Sequence, residues 1–281
     1  MQTHADCFPC FLKQTIIALR QITDDRSVHE RVIKEVLPLM AEADMTKPPA
    51  YTTTFIHRMI REQLGQDPFK AIKHAYNEIA LGLIAGLRQR VRTSSDPLWT
   101  ASRIAIAGNV IDFGIFSSID IDGSVDRALQ PEIAVDHIGR FREALDSTDT
   151  VLYLLDNTGE MVFDMLLIEE LRAMGKEVKA VVKGAAVLND ATMEDARQIG
   201  LQDLCDVVHN GSDAVGTILQ WTSPEFQETF SSAGLIVSKG QGNFETLLGS
   251  DRRIFFLFQS KCDVVSRDLN LLPGSMLLMR S

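Results

Sequence analysis

From about Thr150 onward, short and almost wholly apolar runs alternate with amphipathic stretches, and this alternation restricts the fold more than any other feature of the chain. Val151-Leu152-Tyr153-Leu154-Leu155 precedes a stretch in which Val162, Phe163, Leu166, Leu167, Leu171 and Met174 recur at helical spacing, ending at Gly175. Residues 178–182, 206–208, 235–237 and 254–258 are further β-type runs. Strands apolar on both faces, with helices between them, predict a parallel sheet covered on both sides. The first 95 residues lack such runs. Phe8, Phe11, Ile16, Ile17, Leu19 and Ile22 make one helical stripe, Val32, Ile33, Val36, Leu37 and Met40 a second, and Phe55, Met59 and Ile60 a third. Asp67-Pro68 and Asp96-Pro97 are helix-start signals, an Asp cap followed by Pro at the first helical position. The second opens residues 98–111, read as a helix although Ile104-Ala105-Ile106 also suits a short buried strand. The chain is therefore expected to be α/β, with a helical domain over residues 1–95. Residues 96–281 are expected to form a three-layer α/β/α domain with a mostly parallel, Rossmann-like sheet.

Composition removes several classes. With 45% hydrophobic residues the chain is not disordered, and 4 Cys are too few for a disulfide scaffold. No apolar run approaches the ~20 residues that cross a bilayer, and Met1-Gln2-Thr3-His4 has no basic segment leading into an apolar one. A cytoplasmic protein without membrane partners is the expectation. The 28 Lys and Arg stand against 38 Asp and Glu, a net charge of −10 with no basic run, which argues against nucleic-acid binding.

In open α/β sheets, ligands sit beyond the C-terminal ends of the strands. Those ends read Asp156-Asn157-Thr158-Gly159-Glu160, then Lys183-Gly184 with Asn189-Asp190 a few residues on, then His209-Asn210-Gly211-Ser212-Asp213, and Ser238-Lys239-Gly240-Gln241-Gly242-Asn243. Asp156, Asn157 and Asp190 form an all-oxygen set suited to a hard divalent cation. Turn-making and helix capping by the same Asx residues is the competing account. Gly211-Ser212 and the turn after Ser238 could offer backbone N–H groups to a phosphate, with Lys239 as a point charge. No P-loop pattern occurs. Asn109 and Asp112, three apart among Ile, Val and Phe, could face one cleft.

Other motifs are weaker. Asp120-Ile121-Asp122-Gly123-Ser124 resembles the haloacid-dehalogenase phosphatase motif but lacks a preceding apolar strand. Cys7-Phe8-Pro9-Cys10 could bind metal or cycle redox, yet Cys205 and Cys262 are unpaired in sequence, so two buried thiols packing the first helix are expected. His57, His74 and His137 have no partner at ligand spacing and are expected on helix surfaces or near caps.

Taken together, Cys7-x-x-Cys10, residues 107–114 (Ala-Gly-Asn-Val-Ile-Asp-Phe-Gly), Leu155-Asp156-Asn157-Thr158-Gly159-Glu160, Asn189-Asp190 and residues 238–243 resemble the damage-control phosphatase family, also catalogued as domain of unknown function 89. The Cys pair is similar to its prokaryotic branch. The resemblance spans nearly the whole chain and implies a helical domain on an α/β/α domain with a divalent metal (Mn²⁺, Mg²⁺, Co²⁺ or Ni²⁺) at the sheet's rim. It implies Asp156, Asn157 and Asp190 as metal ligands, with Asp195 and Asp213 near enough in sequence to compete for the third place. Asn109, Asp112 and Glu160 would share the cleft as catalytic residues. Lys239, Ser238, Gly211 and Ser212 would bind the substrate's phosphate. The implied activity is hydrolysis of small phosphomonoesters, such as sugar phosphates or damaged phosphometabolites, with Asp112 or Glu160 activating water or attacking phosphorus. Two other readings remain: a phosphometabolite-binding protein without turnover, and an S-adenosylmethionine-dependent carboxyl methyltransferase, for which no motif is present.

Overall fold

Asp25 accepts from the Ser27 N–H at 2.8 Å and so starts α2 (Arg26–Ala41), while Gly65, at φ 67°, ends α3 (Pro49–Leu64). With α1 (Cys7–Arg20) these helices bury most of the stripes seen in the sequence: Phe11, Leu19, Val32, Val36 and Ile60 share one core with Ile56, while Leu37 and Phe55 stay exposed. The computed structural model describes residues 1–108, 121–130 and 132–281. Asp67 accepts from the Phe69 N–H in a turn, and α4 (Lys70–Thr93) starts at Lys70, two residues after the expected Pro68, whereas Asp96 accepts from Trp99 at the start of α5 (Pro97–Gly108). Ile104-Ala105-Ile106 is thus helical. Its β-like look has a simple cause: α5 is buried nearly all round, and such a helix shows no polar face. Ala80, Ile84, Leu87 and Val91 of α4 pack with α5 on the sheet rather than with α1–α3.

Seven strands occur among the described residues: β1 (Val135–Asp136), β2 (Thr150–Leu154), β3 (Glu177–Val182), β4 (Asp206–His209), β5 (Leu235–Lys239), β6 (Ile254–Gln259) and β7 (Met276–Arg280). Their order is β1-β7-β6-β5-β2-β3-β4, parallel throughout except for β6 against β7. The expected α/β class and mostly parallel sheet are present, while β1 and β7 had gone unread. Along β2 the side chains alternate between two cores. Val151 and Tyr153 face α5 and α8 (Glu160–Ala173), whereas Leu152 and Leu154 face Phe226, Phe230 and Phe244. Both cores are apolar, which explains why β2 reads as an unbroken hydrophobic run.

The chain moves outward from β2 through β3 to β4, then returns to lay β5 on the other side of β2. That reversal opens a crevice beyond the ends of β2 and β5.

Candidate metal centre and substrate cavity

Backbone hydrogen bonds clamp two loops together at this crevice. The Ala191 N–H donates to the Asp156 carbonyl at 2.8 Å, the Thr158 N–H to that of Asn189 at 2.9 Å, and Asn157 and Asp190 form an isolated antiparallel bridge. Asp156, Asn157 and Asp190 are thereby brought side by side, each more than nine-tenths buried. From the far side, Gly240 (φ 79°) lies so close that a Cβ there would fall 1.8 Å from Asp156 Oδ2. Only glycine combines that backbone with that approach. Gly240→Ala is expected to displace the Asp156 side chain, weakening Mn²⁺ binding by calorimetry and lowering the melting temperature; an alanine variant with parental affinity would contradict it.

Asn157 Nδ2 donates to Asp156 Oδ2 at 2.9 Å and to Glu160 Oε2 at 3.3 Å. Carboxylates only accept, so they fix the amide nitrogen toward themselves and turn its carbonyl oxygen the other way. Burial raises the Asp156 carboxyl well above its usual range, and the neighbouring Asp190 and Glu160 carboxylates push it further, while Lys261 and Lys183 oppose this. Lys183 Nζ donates to the Gly216 carbonyl and lies 3.3 Å from Asp190 Oδ2. Crowded carboxylates with an oriented amide oxygen have the donor chemistry of a hard-cation site. No group of three His, Cys, Asp or Glu side chains able to hold a metal occurs among the described residues, so such a site here depends on the amide.

Other expected site residues lie elsewhere. Lys239 is fully buried, and its Nζ spends three donors on Glu160 Oε1 (2.5 Å), Asp164 Oδ1 (2.7 Å) and the Ala105 carbonyl (2.9 Å). No donor is left for phosphate, because an ammonium has three. Ser238 is likewise fully buried, its Oγ without a hydrogen-bond partner. The Gly211 and Ser212 N–H groups are taken by His209 Nδ1 and Asn210 Oδ1, so that turn serves itself. Glu160 belongs beneath the rim, braced between Lys239 and Asn157. The two competitors for the metal are already engaged: Asp195 with Lys73 at 2.8 Å and Thr192, and Asp213 in a clamp from Arg58 and Arg61. His57 is buried beside Phe69 rather than on a surface, and burial pushes its imidazole down to about 3. Asn109, Asp112 and Asp120 lie outside the described residues, and Ile121–Ala128 forms a helix, α6.

A cavity of about 380 Å³ opens between α1, α3 and the rim, and Asp156, Asn157 and Asp190 line it. The sequence reading gave no role to three more of its residues, although it placed Asn189 at the rim. Lys261 follows β6 and brings a cation to the same wall as Asp156. Asn189 is 8% exposed, and its amide nitrogen has no acceptor among the described residues. Glu245, from α11 (Gln241–Leu247), accepts from Gln241 Nε2 at 2.8 Å, and burial pushes its carboxyl up to about 7. A carboxyl raised in the folded state favours folding below its unfolded value near 4.5, and that contribution is lost as pH rises through about 7. Glu245→Gln is therefore expected to flatten the fall in melting temperature between pH 5 and about 8. An unchanged slope would place the titration elsewhere.

Residues 3–277 match the damage-control phosphatase ARMT1-like domain. The chain belongs to that family. The damage-control phosphatase PH1575 of Pyrococcus horikoshii is 34% identical, the alignment covering 100% of this chain and 99% of that protein. A damage-control phosphatase of Archaeoglobus fulgidus is 33% identical over 96% of each. The crystal structure of the Pyrococcus horikoshii protein, described as a DUF89 family protein, superposes with a TM-score of 0.90 over 100% of this chain and 99% of that one. A phosphatase role at family level goes with these names.

In this member of the damage-control phosphatase family, the Cys pair departs from the expectation of two buried thiols. Cys7 is buried but Cys10 is exposed, and both share the cavity wall with Cys262. Burial raises the Cys7 and Cys262 thiols, which keeps them protonated near neutral pH and poor as nucleophiles. No helix among the described residues is long and apolar enough to cross a membrane.

Proposed function

We propose that this protein is a divalent-metal-dependent phosphomonoester hydrolase acting on a small phosphorylated metabolite. The observation that carries the reading is the clamping of Asp156, Asn157 and Asp190 at the sheet's reversal point, opening on a cavity with Lys261 on its wall. Those three side chains would hold the cation. When bound, it supplies charge stabilisation and orientation to a phosphoryl oxygen. Lys261 and the spare amide N–H donors of Asn189 are placed to take other phosphate oxygens, the part first assigned to Lys239. Glu160 holds Asn157 in register rather than attacking phosphorus, since both its oxygens are engaged. Asp112 stays as the carboxylate of the sequence motif for activating water.

Phosphate release from p-nitrophenyl phosphate, measured with Mg²⁺, Mn²⁺, Co²⁺ and Ni²⁺ in turn, tests this. Metal-dependent release that stops on chelation is expected. Binding of sugar phosphates without release under any metal would leave a sensor, and S-adenosylmethionine binding without release would favour the methyltransferase.

A further inference from the structure

We infer that the cavity selects phosphomonoesters whose remainder is uncharged or positively charged, and rejects those bearing a second anionic group. This rests on the phosphatase reading above. A volume of about 380 Å³ is at the small end of the ~300–1,000 Å³ range for ligand pockets, enough for one ring or a short chain. Two side chains of the cavity wall suit an anion: Lys261, and the nine-tenths-buried Asn189, whose amide nitrogen has no acceptor among the described residues. A buried donor left unmet costs free energy, which a phosphate oxygen would recover.

The rest of the wall is apolar or acidic. Phe11, Phe69 and Val264 supply apolar surface, and Asp263 and Glu245, the latter joined to the Lys261 backbone through the Gln241 amide, supply carboxylates. Lys261 is the one cationic side chain on the wall among the described residues. The undescribed stretch 109–120 contains no Lys or Arg, so it cannot add another whatever its position. Two further charges at the wall have partners of their own. Asp6, also on the wall, is bound by Arg267 at 2.7 Å, and the Met1 ammonium donates to the Glu245 backbone carbonyl at 3.5 Å. A second anionic group would leave water for a surface holding a nine-tenths-buried Glu245 and no further side-chain cation. Above pH about 7, where Glu245 is ionised, like-charge contact and desolvation both oppose binding. A hydroxyl or ammonium in the same place can donate to the carboxylate instead.

Glucosamine 6-phosphate, glucose 6-phosphate and 6-phosphogluconate keep the phosphate and overall size while the remainder runs from positive through neutral to negative. Their inhibition constants against p-nitrophenyl phosphate turnover provide the test. 6-Phosphogluconate is expected to bind at least about tenfold more weakly than glucose 6-phosphate, and glucosamine 6-phosphate at least as tightly as glucose 6-phosphate. Glu245→Gln should shrink the advantage of glucosamine 6-phosphate over glucose 6-phosphate. Binding of 6-phosphogluconate equal to or tighter than that of glucose 6-phosphate, or no binding of any of the three, overturns the inference. Should p-nitrophenyl phosphate not be hydrolysed with any metal, the phosphatase reading falls by itself, and calorimetry with the same three compounds still decides the charge ranking.

Discussion

Replacing Asp156 with asparagine is expected to abolish tight Mn²⁺ binding and cut phosphate release by about a thousandfold, the scale of losing a principal electrostatic group from an active site. The same change should raise the melting temperature of the metal-free protein. Asp156 is buried, and Asp190 and Glu160 crowd it with like charge, so its ionised form destabilises the empty fold. A raised carboxyl contributes stability below its unfolded value, and that contribution is lost as pH rises through the folded value. Asparagine keeps the shape and removes the charge at every pH. Function and stability should therefore move in opposite directions, as expected where a charged site is held ready for a ligand. Mn²⁺ calorimetry, phosphate release and thermal melts in chelator separate the effects. Parental turnover at saturating Mn²⁺ would remove Asp156 from the site, and a lowered metal-free melting temperature would show that the crowding had been misjudged.

The part of the site legible in the sequence is the part set by strand ends. Asp156, Asn157 and Asp190 follow apolar runs directly, and parallel topology sends such ends to one rim. Lys261 obeys the same rule after β6, and reading that strand one turn further would have found it. Lys239 failed for a different reason. Alternation along β5 puts Ser238 and Lys239 on opposite faces, but it does not say which face carries acids. A signal lay in α8, where Glu160 and Asp164 sit four apart in a stretch, residues 160–168, that is otherwise apolar and so need a buried cation. In the fold, β7 is short and antiparallel and β1 spans two residues, so neither carries the alternation with helices that revealed the other strands.

Lys239→Met is the variant that separates a buried brace from a phosphate contact. A lysine reaching into the cavity would leave stability intact when lost and would raise KM. The observed Lys239 instead ties Glu160 and Asp164 to α5 through Ala105, with all three groups inside the protein. Methionine fills the space but leaves two buried carboxyls without their cation, at a cost of about 3–5 kcal/mol. At roughly 2–4 °C per kcal/mol for a chain of this size, the melting temperature should fall by roughly 10 °C. Asp164 softens the loss by taking a proton, since its carboxyl is already pushed up to about 6 by burial even with Lys239 present. Glu160 is the group left in difficulty, and it holds the Asn157 amide. Adding Glu160→Gln to Lys239→Met should therefore recover part of the lost stability, because a glutamine carries no charge and still offers an oxygen to Asn157. Metal affinity reports the same chain of contacts: Lys239→Met should weaken Mn²⁺ binding by roughly 10–100-fold, and the double variant should regain some of it. A variant with unchanged melting temperature and a raised KM alone would return Lys239 to the phosphate.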